Sequence, residues 1–249
     1  MTADDVLALM RAHRTIRRFA PDPVPGEHVD AAVEAARMAS TSSHIQAYAL
    51  LRVTDASERA RLAELCGGQP QVAEAGAFFV VAGDRRRHAL AAGVDADRPS
   101  DASADNLETF LLCAVDASLF AQNLVLAFES MGYGVCYVGG LRNELGAVVE
   151  LLELPRGVLP FYGLCVGVPA HDPGQRPRLP VRAIWFEERY PSDEAVRALV
   201  AEQDAEMARW YAERGKPGHD WSGGVQRRFA RRVRETLRAV YERQGAVFE

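Results

Sequence analysis

The spacing of hydrophobic and polar positions predicts alternating helices and strands in the first third of the chain. Thr2 can cap a short helix that ends near Arg11, and Pro25 opens a second helix whose apolar residues recur at helical spacing. Mainly apolar runs at residues 47–53 and 77–82 predict two short buried strands. These elements indicate a core built from both helices and strands.

A helix and a long apolar segment are predicted on either side of the second strand. Ser57 can cap a helix between the two strands, and Gly67-Gly68 would end it. Residues 93–104 are polar and rich in Asp, Ser and Pro, which indicates a surface loop. Residues 107–131 carry apolar side chains almost all around a helix, so we expect a central helix that is buried on most sides and ends at Gly132.

The second half of the chain continues the same alternation. The predicted elements are a strand at 133–138, a turn at Gly139-Gly140, a helix that Asn143 caps and that runs to Leu152, strands at 161–168 and 183–186, and polar helices at about 192–214 and 222–243. No repeat or shift in composition marks a second folding unit. We therefore expect one α+β domain over residues 1–249, with about 192–249 as its helical extension.

Composition argues against several classes of protein, namely nucleic-acid-binding, membrane-spanning and metal-binding proteins. The chain of 249 residues is 48% hydrophobic and 25% charged, which is typical of a globular protein, and its formal net charge of -5 argues against a broad nucleic-acid surface. Polar residues interrupt the segment at 107–131, so we expect no membrane span. The four cysteines are widely spaced without a metal-binding pattern, so we expect free thiols, no metal site and a cytoplasmic location.

Residues 13–19, His13-Arg14-Thr15-Ile16-Arg17-Arg18-Phe19, form a basic segment in an otherwise acidic protein. A second donor pair, Arg176 and Arg178, lies far along the chain. Guanidinium groups bind phosphate oxygens bidentately, so the two clusters could converge on one phosphate. Arginines near a helix end also commonly meet solvent or cap carbonyl groups, and composition alone favours that alternative.

Two further polar patches adjoin predicted buried elements. They are residues 40–43 with Gln46, and Gln69 after the double glycine. Together with the arginines they suit a phosphorylated cofactor, although residues 40–43 could equally be a loop that satisfies its own backbone. Gly139-Gly140 could be a simple turn, but a bare backbone also lets a flat cofactor approach. The chain contains no nucleophile-elbow, zinc-protease or P-loop motif.

Six segments, in order over nearly the whole chain, carry a family resemblance. They are HRTIRRF at 13–19, STSSHIQ at 40–46, GGQPQVAEAGAFFVV at 67–81, AQNLVLAFESMGYGVCYVGGLRN at 121–143, PFYGLCVGVPA at 160–170 and RPRLP at 176–180. Together they resemble the FMN-dependent nitroreductase superfamily, and most closely its oxygen-insensitive NADPH nitroreductase and NADPH:FMN oxidoreductase branch. Six collinear motifs are far more specific than any one of them.

The resemblance implies a homodimer of α+β subunits with the nitroreductase-like fold. Each subunit would have a mixed, mainly antiparallel sheet flanked by helices, with the helical extension wrapping the partner subunit and two FMN molecules bound at the interface. The implied reaction is ping-pong. NADPH, or less preferred NADH, passes hydride to FMN N5, and a nitroaromatic, a quinone or free flavin then accepts the electrons. The alternatives are a flavin-binding sensor or carrier without turnover, and a specialised reductase or dehalogenase of the superfamily.

The resemblance also assigns residues to the FMN. The phosphate and ribityl end matches His13, Arg14, Thr15, Arg176 and Arg178. Arg17 matches the position beneath the pyrimidine ring, where a cation favours the reduced flavin. The other implied cofactor contacts are Ser40, Thr41, Ser42, Gln69, Tyr137, Val138, Gly139 and Gly140. No side chain is expected to be a catalytic acid or base, because the flavin supplies hydride and solvent can supply protons.

The resemblance also implies contacts with the substrate or NADPH, but here the chain departs from the family pattern. His44 stands where the family usually has Phe, which predicts a smaller and more polar pocket. Glu108 and Arg214 are the other implied contacts for substrate or NADPH, although Glu108, like Asp116, also fits a simple polar position on the long helix. Arg176 replaces the usual Lys and keeps its charge. The segment after Arg214 is shorter than in the NADPH-specific branch, so we expect a weaker preference for NADPH.

Overall fold

The computed structural model describes residues 2–98 and 106–248. Contacts between Cα atoms divide the chain into two compact units. The first unit comprises Met1–Pro173 together with Arg234–Glu249, and the second comprises Gly174–Val233. The expectation of one domain with a helical extension stays a prediction.

An antiparallel sheet lies at the centre of the first unit. Over the described residues it has four strands, β1 (Tyr48–Val53), β2 (Ala77–Asp84), β3 (Gly134–Val138) and β4 (Val158–Gly167), in the order β1-β2-β4-β3. All three strand pairs are antiparallel. β2 is buried along its whole length because strands flank it on both sides, whereas β3 lies at an edge of the sheet. The predicted α+β class is confirmed.

Helices surround this sheet and build the second unit. In chain order they are α1 (Ala3–Ala12), α2 (Gly26–Ala36), α3 (Ala56–Leu65), α4 (Gln71–Glu74), α5 (Arg86–Ala91), α6 (Leu107–Ser130), α7 (Leu145–Leu151), α8 (Asp193–Ala212), α9 (Trp221–Phe229) and α10 (Leu237–Arg243). Of these, α8 and α9 belong to the second unit. The others belong to the first.

The central helix α6 packs one face into the core of the first unit. Phe120, Leu124 and Phe128 on this face are at most 2% exposed and join the main hydrophobic cluster. The opposite face is exposed, so the prediction of burial on most sides is wrong. Within the described chain α6 alone is long and apolar enough to cross a membrane by length and composition. Central helices of globular proteins meet the same criteria, and α6 packs against the sheet as such a helix does.

Most predicted elements are confirmed, but two caps differ. Thr2 caps α1 in a reciprocal capping box with Asp5. Asp55, not Ser57, caps α3, because the Asp55 carboxylate accepts the amides of Ser57 and Glu58 as well as the Ser57 hydroxyl. Helix α7 begins after Glu144, since the side chain of the predicted cap Asn143 bonds elsewhere.

Two predictions near the C-terminus are wrong. Residues 183–186 form no strand; a 3-10 turn at Val181–Ala183 precedes Ile184 and Trp185, which are both exposed and pair with no neighbouring strand in the described chain. The predicted helix at 222–243 is split into α9 and α10, because the chain passes between the two units at Val233 and Arg234, where Arg234 adopts a φ of 61°. Residues 99–105 of the predicted surface loop lie outside the described residues.

Candidate functional site

The basic segment extends the sheet at its free edge. Thr15 forms a parallel bridge with Val135 of β3, and the Ile16 amide donates to the Val135 carbonyl at 2.9 Å. Ile16 is buried against Gly134, where an added Cβ would lie 2.6 Å from the Ile16 side chain. The apolar Ile16 therefore anchors the segment, and the polar residues on either side of it are held at the start of β3.

His13 and Arg14 each bind a carboxylate. His13 Nδ1 lies 2.7 Å from Glu129 Oε1 on α6, and Arg14 Nε donates to Asp172 Oδ1 at 2.7 Å. The other oxygen of Glu129 is buried and has no hydrogen-bond partner among the described residues. A cavity of about 200 Å³ adjoins this group and is lined by His13, Arg14, Glu129 and Tyr133. His13 and Arg14 are thus held in orientation beside a space that a ligand could enter.

Arg17 lies beside β3 but is more exposed. Burial raises the pKa of the Cys136 thiol on β3, and the positive charge of Arg17 partly offsets that rise. Arg18 is exposed, and its carbonyl accepts the Ala170 amide at 3.0 Å.

Gln69 and Gly140 lie together just beyond the other end of β3. The chain leaves β3 at Tyr137 and Val138 and turns through a 3-10 segment, Gly139–Arg142. A Cβ on Gly140 would overlap Gln69 Nε2 and the Cys66 carbonyl oxygen, so a side chain has no room there. Gln69 is held from both ends, since its Nε2 donates to Cys66 O at 2.9 Å and its Oε1 accepts Gln71 Nε2 at 2.8 Å. Gly140 is therefore packed tightly against Gln69 and Cys66, and the Gln69 amide is fixed beside it.

Two arginines that the sequence did not single out approach the same turn. The Arg142 guanidinium lies 3.3 Å from the position of a Cβ on Gly139, and that of Arg234 lies 4.0 Å from it. Arg142 donates to the Phe161 carbonyl, and Arg234 Nε donates to Asn143 Oδ1 at 3.1 Å. The end of β3 is thus positively charged. The double glycine two positions before Arg142 was the available signal, whereas the contact between Arg234 and Asn143 spans 91 positions and has no local signal.

The loop at 40–46 is held on α6. Its 3-10 turn, Ser42–His44, follows Ser40 and Thr41. The Ser42 amide donates to Asp116 Oδ1 at 3.0 Å, and the Ala47 amide donates to Asp116 Oδ2 at 3.1 Å. The side chain of His44 is exposed. Of the predicted residues on α6, Glu108 lies exposed in the first turn, and Asp116 proves to be an anchor of this loop.

Tyr137 and Val138 differ in exposure at the end of β3. Val138 is buried, whereas the Tyr137 ring is 37% exposed and lies edge-on to that of Tyr162, with centroids 5.4 Å apart. The Tyr162 hydroxyl donates to Ser118 Oγ at 3.1 Å on α6. These contacts fix the exposed ring at the sheet edge.

The remaining predicted cations lie in the second unit and gather around Trp210 of α8. The Arg214 guanidinium lies 4.0 Å from the centroid of the Trp210 ring, and that of Arg176 lies 5.2 Å away. Arg178 Nη1 donates to the Arg176 carbonyl at 3.3 Å. Cation–π contacts of this kind hold guanidinium groups in place while keeping their charge. The second unit thus carries its own cationic cluster.

Comparison with known proteins places the chain in a well-defined group. Residues 10–168 match the model of the nitroreductase family, and residues 176–249 match that family's C-terminal domain. The chain is 38% identical to "FMN reductase (NADPH)" of Bacillus subtilis, over 94% of both chains, and 37% identical to "Oxygen-insensitive NADPH nitroreductase" of Salmonella typhimurium, over 96% of this chain and 97% of the relative. It superimposes on the solved structure of NfrA1 from B. megaterium with a TM-score of 0.91, at 39% identity over 98% of this chain and 99% of the other.

Proposed function

The chain belongs to the nitroreductase family. On that premise we propose how the basic segment at the start of β3 and the Gly139-Gly140 turn after its end bind the cofactor. It is an oxidoreductase that uses FMN as cofactor and NADPH as electron donor, the two compounds named in its relatives. One observation carries the assignment of the site. The basic segment lies at the start of β3 and the bare Gly139-Gly140 turn follows its end, about 16 Å apart along five extended residues. An elongated cofactor with a phosphate at one end and a flat ring at the other fits that separation.

The basic segment suits the phosphate end of FMN. Glu129 occupies Nδ1 of His13, so a protonated imidazole can donate from Nε2 to a phosphate oxygen. Asp172 and the Ala12 carbonyl accept from Nε and Nη1 of Arg14, which leaves Nη2 as a donor. Both carboxylates orient the cations before any ligand binds, and preorganised donors bind charged groups most effectively. Thr15 is the further contact that we propose for this end.

The turn after β3 suits the ring end. Gly139 is only partly buried and has no side chain, so a flat molecule can approach its backbone, while Gly140 packs against Gln69 and Cys66 and fixes the turn. The fixed amide of Gln69 can read a polar ring edge. Ser40, Thr41 and Ser42 are further contacts that we propose, in a loop that Asp116 of α6 holds through the Ser42 amide. FMN, when bound, accepts hydride from NADPH and passes electrons to a quinone, a nitroaromatic or free flavin. Arg17 supplies a permanent positive charge beside β3 that favours added negative charge nearby.

The cationic cluster of the second unit suits the phosphate of the donor. Arg214 and Arg176 share the Trp210 ring, and Arg214 Nη1 also donates to the Trp210 carbonyl at 3.1 Å. We assign Arg214 to the 2′-phosphate of NADPH. We also propose that this enzyme prefers NADPH to NADH less strongly than is usual in the family. His44 and Glu108 remain proposed contacts for the acceptor or donor, because both are exposed and polar.

We further propose a homodimer with the exposed face of α6 in its interface. Leu107, Leu111, Val115 and Leu119 recur at four-residue spacing and are 42 to 54% exposed. Such a contiguous apolar stripe is typical of a surface that another chain covers. A Leu111→Glu change should therefore shift the purified protein to monomer in light scattering, whereas Met38→Glu, at an exposed residue off α6, should leave the dimer intact. A monomeric wild-type protein would contradict the proposal.

A cytoplasmic location is also proposed. All four cysteines are buried and unpaired, which suits a reducing compartment. Fractionation that recovers the protein outside the cytoplasm would contradict this location.

The decisive experiment compares cofactor content with turnover. The protein purified from cells should release about one FMN per chain on heating, and it should oxidise NADPH when a quinone or nitrofurazone is present. Arg14→Ala should raise the dissociation constant for FMN roughly 10-fold to 150-fold, the equivalent of about 1.5 to 3 kcal/mol for one charged hydrogen bond. Arg18→Ala, a matched exposed arginine, should leave it unchanged. Bound FMN without turnover on any acceptor would instead support a sensor or carrier.

A further inference from the structure

Asp116 is a carboxylate buried in the middle of α6. It is 1% exposed and lies on the core-facing side of the helix, between Cys113 and Phe120. A buried carboxylate is costly unless it accepts hydrogen bonds. Here both oxygens do so, and both donors are backbone amides of one loop, Ser42 and Ala47. Among the described residues, this loop therefore supplies all the hydrogen bonds that the Asp116 carboxylate accepts.

The loop between the two amides has an unusual backbone. Ser43, His44 and Gln46 have φ angles of 46°, 58° and 53°, the left-handed region that side-chain-bearing residues rarely adopt. Three such residues within four positions persist only when the surroundings determine the conformation. Asp116 binds the amides on both sides of this stretch. His88 adds a second fixed point, with Nε2 2.7 Å from the Ile45 carbonyl oxygen.

We infer that Asp116 is a positioning residue, which holds the loop at 40–46 in the conformation that presents Ser40, Thr41, Ser42 and His44 to the cofactor and the acceptor. This inference rests on the proposed function, which assigns that loop to the FMN site. The geometry supports it because the anchoring atoms lie on the rigid central helix, whereas the anchored residues lie in a loop with little regular structure. Loss of the anchor should release the left-handed residues toward ordinary backbone conformations.

The test combines Asp116→Asn with a matched control. Asparagine keeps the size of the side chain but offers one acceptor oxygen, so one of the two amides then faces an NH₂ group. Gln244→Ala is the control, because Gln244 is also buried and holds another loop through the carbonyls of Leu154, Pro155 and Val158. Both variants should lower the melting temperature. Only Asp116→Asn should speed amide hydrogen exchange at residues 40–47 in the FMN-free protein, by about tenfold or more.

The same variants separate positioning from folding in the loaded enzyme. Asp116→Asn should change the visible circular dichroism of bound FMN and lower kcat/KM for the acceptor by roughly 10-fold to 100-fold, since small displacements at a reacting site have effects of that size. Gln244→Ala should do neither. Unchanged exchange at 40–47, or faster exchange with wild-type circular dichroism and kinetics, would overturn the inference.

Two further outcomes complete the test. If Asp116→Asn does not fold, hydrogen exchange in the wild-type protein tests the inference instead. The amides of Ser42 and Ala47 should exchange more slowly than the amide of Ser43. Equal rates would overturn the inference. A wild-type protein that binds no FMN would contradict the proposed function and this role together. A wild type that turns over, with an Asp116→Asn variant identical to it, would contradict the positioning role alone.

Discussion

Replacing Gly140 with alanine should disrupt both the stability of the first unit and its affinity for FMN. A Cβ at this position would lie closer than 3.0 Å to Gln69 Nε2 and to the Cys66 carbonyl oxygen, a separation that real Cβ atoms essentially never have. The Cys66 carbonyl belongs to the backbone and also accepts Gln69 Nε2 at 2.9 Å and Asn143 Nδ2 at 3.3 Å. Relief of the overlap therefore displaces two hydrogen bonds as well as a tightly packed turn.

The cost follows from these contacts. Overpacking in a tight site costs about 1 to 3 kcal/mol, and each weakened hydrogen bond adds up to about 1 kcal/mol. We expect a loss near 3 kcal/mol in the free energy of unfolding. For a protein of this size, 1 kcal/mol lowers the melting temperature by roughly 2 to 4 °C, so the expected fall is about 6 to 12 °C. FMN affinity should fall too, because Gln69 is displaced from the proposed ring-reading position.

The assay compares two variants with the wild type. Gly26→Ala is the matched control, because no atom lies within 4 Å of an added Cβ there and the residue begins α2. Thermal unfolding should leave Gly26→Ala at or slightly above the wild type. Fluorescence titration should give it the wild-type dissociation constant for FMN. A Gly140→Ala protein with both values unchanged would refute the packing of Gln69 and Cys66 against this turn.

Three further changes test separate parts of the account. Arg214→Ala should raise the KM for NADPH about tenfold or more and leave that for NADH nearly unchanged, and equal KM values for wild type and variant would refute the phosphate assignment. Arg17→Ala should slow flavin reduction or shift its potential, whereas Arg14→Ala should mainly weaken FMN retention; identical phenotypes would show that the two roles are wrongly divided. Burial raises the pKa of the Cys66 thiol to about 12, so it should resist thiol reagents in the native protein near pH 8 and react after denaturation. Because the unfolded thiol ionises near pH 8.5, stability should fall as the pH rises from about 9 toward 12, and a flat profile would contradict that pKa.

Local signals in the sequence predicted most of the elements. The cap at Thr2, the double glycine after α3 and the long apolar segment of α6 each act within a few residues, so their effects could be read from the chain. Where two local signals competed, the sequence misled us. Asp55 and Ser57 are both good caps, and the structure uses Asp55 because its carboxylate can accept several donors at once.

Long-range contacts account for what the sequence could not predict. The bonds from Asp116 to the loop amides span 74 and 69 positions, and that from Arg234 to Asn143 spans 91. In the sequence Asp116 fits a simple polar position on α6, and neither its burial nor its partners could be identified without the fold. The break between α9 and α10 likewise arises where the chain passes between two units, so helix propensity gave no warning of it.

The central claim is that FMN bound to this chain accepts electrons from NADPH and passes them on. Anaerobic addition of NADPH to the purified, FMN-loaded protein tests it most directly. The visible flavin absorption should bleach with one NADPH per FMN and return when nitrofurazone or a quinone is added. A flavin that stays oxidised with both NADPH and NADH would contradict the account.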